Sequence, residues 1–223
     1  KTEAEATSVK RVIADQTNHR KRQLAAIRHE VPDRIPVDQQ AIENTKAVSS
    51  FLGVPEMEVM RHLGLDGICV GLGFGEKSQV DQDGQELSEW GIPWVQDWSP
   101  SHRCPLAMAE SVAEVERYAW PDPAKYDYAK SRQLAHENHG ELAVRGPRCS
   151  VFFHEVCALM GVEEALIKLL VMPDVFEAAV ESVFRVTHER CRRYVAACGP
   201  DLDILCLWDD FARFIAGPFW RSK

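Results

Sequence analysis

The chain has no excess of basic residues: 26 Lys and Arg stand against 34 Asp and Glu, for a formal net charge of −8 and a pI near 5.5. Binding to nucleic acid needs a positive surface that displaces counterions from phosphate, so nucleic acid is not expected as a partner. No apolar run approaches the roughly 20 residues that span a bilayer, and no membrane partner is expected. The opening Lys1–Ala6 is polar and acidic and does not read as a secretory signal. The seven cysteines, Cys69, Cys104, Cys149, Cys157, Cys191, Cys198 and Cys206, form no CxxC pair and are odd in number. Several lie in apolar runs, such as Gly-Ile-Cys-Val at Cys69, which reads as buried free thiols of a cytoplasmic protein. No internal repeat or low-complexity segment stands out.

What is present is an ordinary globular composition. Of 223 residues, 45% are hydrophobic and 27% charged, enough to bury a core without disulfides or metal. One domain over 1–223 is expected. Ser8–Glu30 has imperfect helical spacing and is ended by Pro32. Arg34–Asp38 reads as a short buried strand. Ile42–Phe51 reads as a helix stopped by Gly53, and Pro55–His62 as a shorter one. Gly67–Leu72 is a second apolar strand. Residues 78–98 alternate around Asp83-Gly84, a hairpin signal, so an inserted β-hairpin is expected. Trp90, Trp94 and Trp98 recur every fourth residue, but Gly91 and Pro93 argue against a helix. Ser111–Tyr118, Ala124–His139, Val162–Val171 and Asp174–Cys198 read as helices. Leu142–Arg145 and Asp203–Trp208 read as strands. Short apolar strands alternating with helices indicate an α/β fold with parallel strands.

Five segments, in order, resemble the uroporphyrinogen decarboxylase superfamily. They are Glu30–Asp38 (Glu-Val-Pro-Asp-Arg-Ile-Pro-Val-Asp); Asp83-Gly84 followed by Glu89-Trp90-Gly91-Ile92; Pro105–Ala107 with Val115–Tyr118 and Trp120–Pro123; Phe153 through Met160-Gly161 to Met172–Asp174; and Trp208–Ala212. The resemblance implies a (β/α)8 TIM barrel. Such a barrel needs eight strands and typically about 250 residues, so only its N-terminal portion, with the inserted hairpin, is expected here. True decarboxylases of this family carry paired arginines in an Arg-Gln-Ala-Gly-Arg-Tyr segment. The matching stretch here, Gln39–Asn44, has no arginine. Together with the hairpin and the Trp-Pro-Asp-Pro segment, this places the resemblance nearer the methyltransferase-like branch.

That branch implies methyl transfer on a small-molecule substrate, with a corrinoid (cobalamin) carried by a partner protein. Any zinc would be held by C-terminal residues absent from this chain, and no metal ligand is assigned within it. The alternatives are a uroporphyrinogen decarboxylase, a cofactor-free lyase of tetrapyrrole biosynthesis, and a non-catalytic barrel that binds a corrinoid or tetrapyrrole. A homodimer is compatible with each.

In such a barrel the reacting groups lie at the C-terminal ends of strands. Asp209 and Asp210 end the last strand and are the first expected catalytic residues. Strand alternation sends them opposite ways, so one acts while the other pairs or caps a helix. Glu155 is the third, because it lies among Phe152, Phe153, Val156 and Leu159, where an unpaired carboxylate is costly. His154 beside it is either substrate-binding or a hydrogen-bonded core residue. Asp38 ends the first strand. Arg145 and Arg148 suit a carboxylate or phosphate, against the plainer reading as salt bridges. Trp90, with Trp94 and Trp98, offers a stacking wall for a ring ligand or simply packs the hairpin. His102-Arg103-Cys104 has a zinc-thiol spacing but no third ligand, and reads as coincidence. Gly71-x-Gly73-x-Gly75 lacks the setting of a dinucleotide loop. Cys149 and Cys157 read as buried thiols.

Overall fold

A computed structural model describes residues 18–39, 44–73, 75, 79–81, 83–92 and 104–210. The helical start expected from Ser8, Trp94, Trp98, His102, Arg103, Phe211 and Ala212 lie outside these residues. The helices are α1 (His19–Ile27), α2 (Thr45–Leu52), α3 (Val59–His62), α4 (Val112–Glu116), α5 (Tyr128–Asn138), α6 (Phe153–Met160), α7 (Val162–Val171) and α8 (Pro173–Cys198). The strands are β1 (Gly67–Cys69), β2 (Gln79–Val80), β3 (Glu86–Leu87), β4 (Ala143–Ser150) and β5 (Ile204–Trp208).

The chain divides into two compact units. The first takes its described residues from 1–72, 128–148 and 195–206, and the second from 73–127, 149–194 and 207–223.

In the first unit, the Asn18 side chain accepts from the Lys21 N–H and caps α1. Gly53 closes α2 at φ 68°, a left-handed conformation that strains any residue with a Cβ. β1 pairs in parallel with β4, with Ile68 opposite Val144, and the sheet order is β1-β4-β5. Ala143, Val144 and Arg145 are all buried, so the central strand is covered on both faces. Val59, Leu65, Val70, Ala135 and Leu142 are buried with them. Burying such side chains stabilises by about 1.5–3 kcal/mol each for the larger ones. The Asp203 carboxylate accepts from the Val144 N–H at 3.0 Å and from Arg20 at 2.6 to 3.1 Å, tying the entry of β5 to α1.

This sheet corrects the expected barrel. The described residues form one three-stranded parallel sheet and a separate two-stranded hairpin, and no (β/α)8 barrel is formed. Arg34–Asp38, expected as its first strand, is irregular, with Ile35 85% exposed and Val37 48% exposed. Pro36 has no N–H to give a ladder. The Val37 N–H goes to the Asp66 side chain instead of a strand, leaving one backbone bond, from Asp66 N–H to the Val37 carbonyl.

In the second unit, β2 and β3 pair antiparallel around Asp83-Gly84, with Val80 opposite Glu86. The core gathers Trp90, Leu106, Val115, Phe153, Leu159 and Phe176, with other residues of α6 and α8. Trp90 meets Trp120 edge-on at 6.4 Å. Gly91 adopts φ 68°, and a Cβ there would come within 2.7 Å of the Tyr118 hydroxyl, which donates to the Trp90 carbonyl. The Glu-Trp-Gly-Ile segment therefore needs glycine for both reasons. α7 and α8 begin and end within a residue of the sequence expectation. α6 was not expected as a helix.

Candidate active site

The chemistry-bearing residues of the second unit gather around the start of α6. Phe152 at the N-cap supplies no side-chain acceptor for the helix's free N–H groups. Asp209, just after β5, supplies it from a distance. Its Oδ2 accepts from the N–H of Phe152 and Phe153, both at 2.9 Å, and its Oδ1 from the N–H of His154 at 2.9 Å and of Asp210 at 2.8 Å. Asp209 is thus committed to capping, the plainer of the two roles expected for it. Asp210 turns the other way, and its Oδ2 lies 2.9 Å from the Nδ1 of His154. The His154 ring also packs on Trp208, with centroids 4.6 Å apart. Both His154 and Asp210 are about a quarter exposed (26% and 27%), so this pair is open to solvent.

Glu155, one residue further, has a different environment. The residue is half-buried, but protein packed about its carboxyl disfavours the charged form and pushes its pKa up to about 7. The His154 and Arg190 charges oppose the rise, and Glu89 and Cys149 support it. Among the described residues its carboxyl accepts no hydrogen bond and forms no ion pair. A carboxyl that keeps its proton up to neutrality is suited to general acid–base work.

Arg190 on α8 is a buried cation whose charge acts on Glu155. Arg190 is buried, and burial works against its charge. Its pKa is nonetheless raised, Cys149 and the Tyr126 hydroxyl that it bonds favouring the charged form. Its Nη1 donates to the Tyr126 hydroxyl at 3.0 Å and lies 3.4 Å from Glu89 Oε1. The guanidinium carbon is 5.1 Å from the Tyr126 ring centroid and 5.9 Å from that of Trp90. Cys149 lies at the end of β4, and Cys191 is one residue on from Arg190 in α8. The Cys191 thiol first, and then the Arg190 charge, lower the Cys149 pKa, while Cys149 raises that of Cys191. Three buried polar atoms here, Ser150 Oγ, Thr187 Oγ1 and Arg190 Nε, have no hydrogen-bond partner among the described residues.

The remaining expected site residues lie elsewhere. Trp90 is 4% exposed and belongs to the core, where it offers an edge to Trp120 and a face to Arg190 rather than a stacking wall for a ligand. Asp38 and Arg145, both in the first unit, pair with each other, and Arg145 also donates to the Gln39 carbonyl. Arg145 is buried, so its charge is spent on Asp38. Arg148 is exposed, with a left-handed φ of 60°.

Sequence reasoning missed Glu89, Tyr126 and Arg190, and treated Cys149 and Cys191 only as thiols. A signal for Arg190 was present. It falls three residues after Thr187 and four before Tyr194, both on the apolar face of α8, so it flanks that face.

The described residues contain no group of three or more His, Cys, Asp or Glu side chains that would hold a metal ion. They do not fit a zinc site. Among them, no helix is long and apolar enough to cross a membrane. Comparison with protein-family models, curated proteins and solved structures gives no match to this chain.

Proposed function

We propose that the chain is an enzyme that performs acid–base chemistry on a small molecule through Glu155. The observation that carries this reading is the Glu155 carboxyl, deprived of hydrogen-bond donors and pushed up to a pKa of about 7 beside a cationic Arg190. A group that titrates near neutrality both holds and releases a proton at working pH. His154, next to it in the chain, forms a hydrogen-bonded pair with Asp210 that is partly open to solvent.

The resemblance to uroporphyrinogen-decarboxylase-like proteins gives this chemistry a setting. The reaction proposed is methyl transfer, with a corrinoid on a partner protein. The corrinoid would supply the centre that takes or gives the methyl group. The residues of this chain would hold the methyl-bearing molecule, and Glu155 would protonate the oxygen or nitrogen that loses the methyl group. The absence of arginine in Gln39–Asn44 and the commitment of Arg145 to Asp38 favour this over decarboxylation of a polycarboxylate. The seven unbridged cysteines accord with a cytoplasmic setting.

The test is a turnover assay of the full chain with free cob(I)alamin and a panel of methyl ethers and methylamines. Cobalamin methylation is read by absorbance, and uroporphyrinogen is assayed in parallel. Methylation that falls about 100-fold or more in E155Q, general acid–base catalysis being worth roughly 10²–10⁴-fold, supports the proposal. Turnover of uroporphyrinogen alone would make the chain a decarboxylase. No turnover of either, with cobalamin still bound, would leave a binding protein.

A further inference from the structure

We propose that Arg190 and Thr187 hold the carboxylate of a small monocarboxylic acid in the second unit. Both lie on α8, three residues apart, so they are neighbours on one face of the helix. Thr187 is 4% exposed and Arg190 6%, so that face is turned inward. A long side chain on a helix runs back towards the N-terminus over the residues three and four before it, which carries the Arg190 stem towards Thr187. Thr187 Oγ1 and Arg190 Nε are both buried and have no hydrogen-bond partner among the described residues. A buried donor is costly to leave unmade. Two such donors on one inward face, one of them on a cation, suit an anionic acceptor.

The rest of the guanidinium is already fixed. Its Nη1 donates to the Tyr126 hydroxyl at 3.0 Å, and that hydroxyl lies 3.4 Å from Glu89 Oε1. The Tyr126 and Trp90 rings lie 5.1 Å and 5.9 Å from the guanidinium carbon. The donor fork is thus oriented before a ligand arrives, which lowers the ordering cost of binding. Glu89 meets Arg190 with one oxygen at 3.4 Å, long against the roughly 2.7–2.9 Å of a charge-assisted bond. Arg145 also has an unpaired Nε, but both Asp38 oxygens accept from its Nη1 and answer its charge. Among the described residues no carboxylate engages Arg190 in that way. The Glu89 side chain is 22% exposed and brings this cluster to the surface.

The ligand class follows from the charge count. Arg190 is one cation, Glu89 is a distant partner, and Glu155 keeps its proton up to about 7. One further negative charge matches the site, whereas a phosphate dianion would overfill it. A planar carboxylate can take the Nε–H on one oxygen and the Thr187 hydroxyl on the other. Resting on the reading above, the methyl-bearing molecule is then a monocarboxylic acid anchored by Arg190. The binding itself does not depend on that reaction.

The experiment records the arginine Nε–H signals of the full chain by nitrogen NMR while sodium acetate is added at constant ionic strength, with no cobalamin present. Arg190→Lys assigns the Arg190 signal. Acetate is expected to shift that signal to saturation, and acetamide, its uncharged isostere, to leave it in place. Thr187→Val keeps the side-chain shape, removes the hydroxyl and should weaken acetate binding about tenfold, the order of one hydrogen bond to a charged group. If Arg190→Lys misfolds, the signal that saturates with acetate and responds to Thr187→Val identifies the site. No saturable shift, an equal response to acetamide, tighter binding of inorganic phosphate, or unchanged affinity in Thr187→Val overturns the proposal. No methyl donor takes part, so a failure of the methyl-transfer reading leaves this result standing.

Discussion

Asp66 in the first unit and Glu155 in the second are carboxyls withdrawn from water with opposite results. Asp66 is fully buried, and burial alone would raise its pKa. It accepts instead from the Val37 N–H at 2.7 Å, His19 Nδ1 at 2.8 Å, Arg22 at 2.5 Å and Arg34 at 2.8 Å. These donors outweigh desolvation and hold it below the ordinary carboxylate range. Glu155 has no such donors, so desolvation wins and its proton stays on. Desolvation acts on both, and the donor count decides the sign. A fully satisfied carboxylate fixes structure, whereas an unsatisfied one keeps a proton available for chemistry.

The largest effect should come from breaking the satisfied side. Asp66→Ala removes the buried anion shared by His19, Arg22 and Arg34, of which Arg22 keeps its pair with Asp33. It should cost about 3–5 kcal/mol in urea unfolding at pH 7, the range for removing one partner of a buried pair. The same network predicts acid lability. A lowered folded pKa gives stability that is full above the unfolded value and lost as pH falls through the folded value, here below 3.8. A wild-type chain whose stability is flat down to the most acidic pH would contradict it.

Glu155 should show the reverse dependence. Its raised folded pKa means that the folded state binds more protons than the unfolded state between about 4.5 and about 7. Stability should therefore fall as pH rises across that window. E155Q should abolish the slope and gain on the order of 2 kcal/mol above pH 7. An unchanged slope in E155Q would remove Glu155 as its cause.

Asp209→Ala should cost about 1–2 kcal/mol, because it uncaps α6. Its activity should fall less than that of E155Q, since it holds a helix rather than a proton. The smallest effect should be at Glu189. Arg192 and then Arg193 lower its pKa to about 2, but it lies at the surface. Glu189→Gln should leave the unfolding midpoint unchanged, because exposed pairs are offset by water and side-chain entropy.

The sequence carried some of this directly. The periodicity of Phe176, Val180, Val183, Thr187, Cys191 and Tyr194 marks α8 over nearly its whole length. The apolar neighbours of Glu155 signalled a carboxyl out of place. Other features were hidden for physical reasons. Arg190 lies in Glu-Arg-Cys-Arg-Arg, which reads as a solvated face until the α8 register and the distant Tyr126 are known. Asp209 and Asp210 are adjacent, and only the position of the α6 N-terminus shows which of them caps it. The barrel expectation failed at Arg34–Asp38, where the apolar pattern resembles a strand but Pro36 and the Asp66 side chain take away its hydrogen bonds.

The most direct test of the central claim is the carboxyl titration of Glu155 itself. It is read by carbon NMR on a sample labelled at glutamate side-chain carboxyls, with E155Q assigning the signal. The account predicts a midpoint near 7. A midpoint near 4.5, the ordinary value for glutamate, would contradict it and leave Glu155 an ordinary ionised side chain.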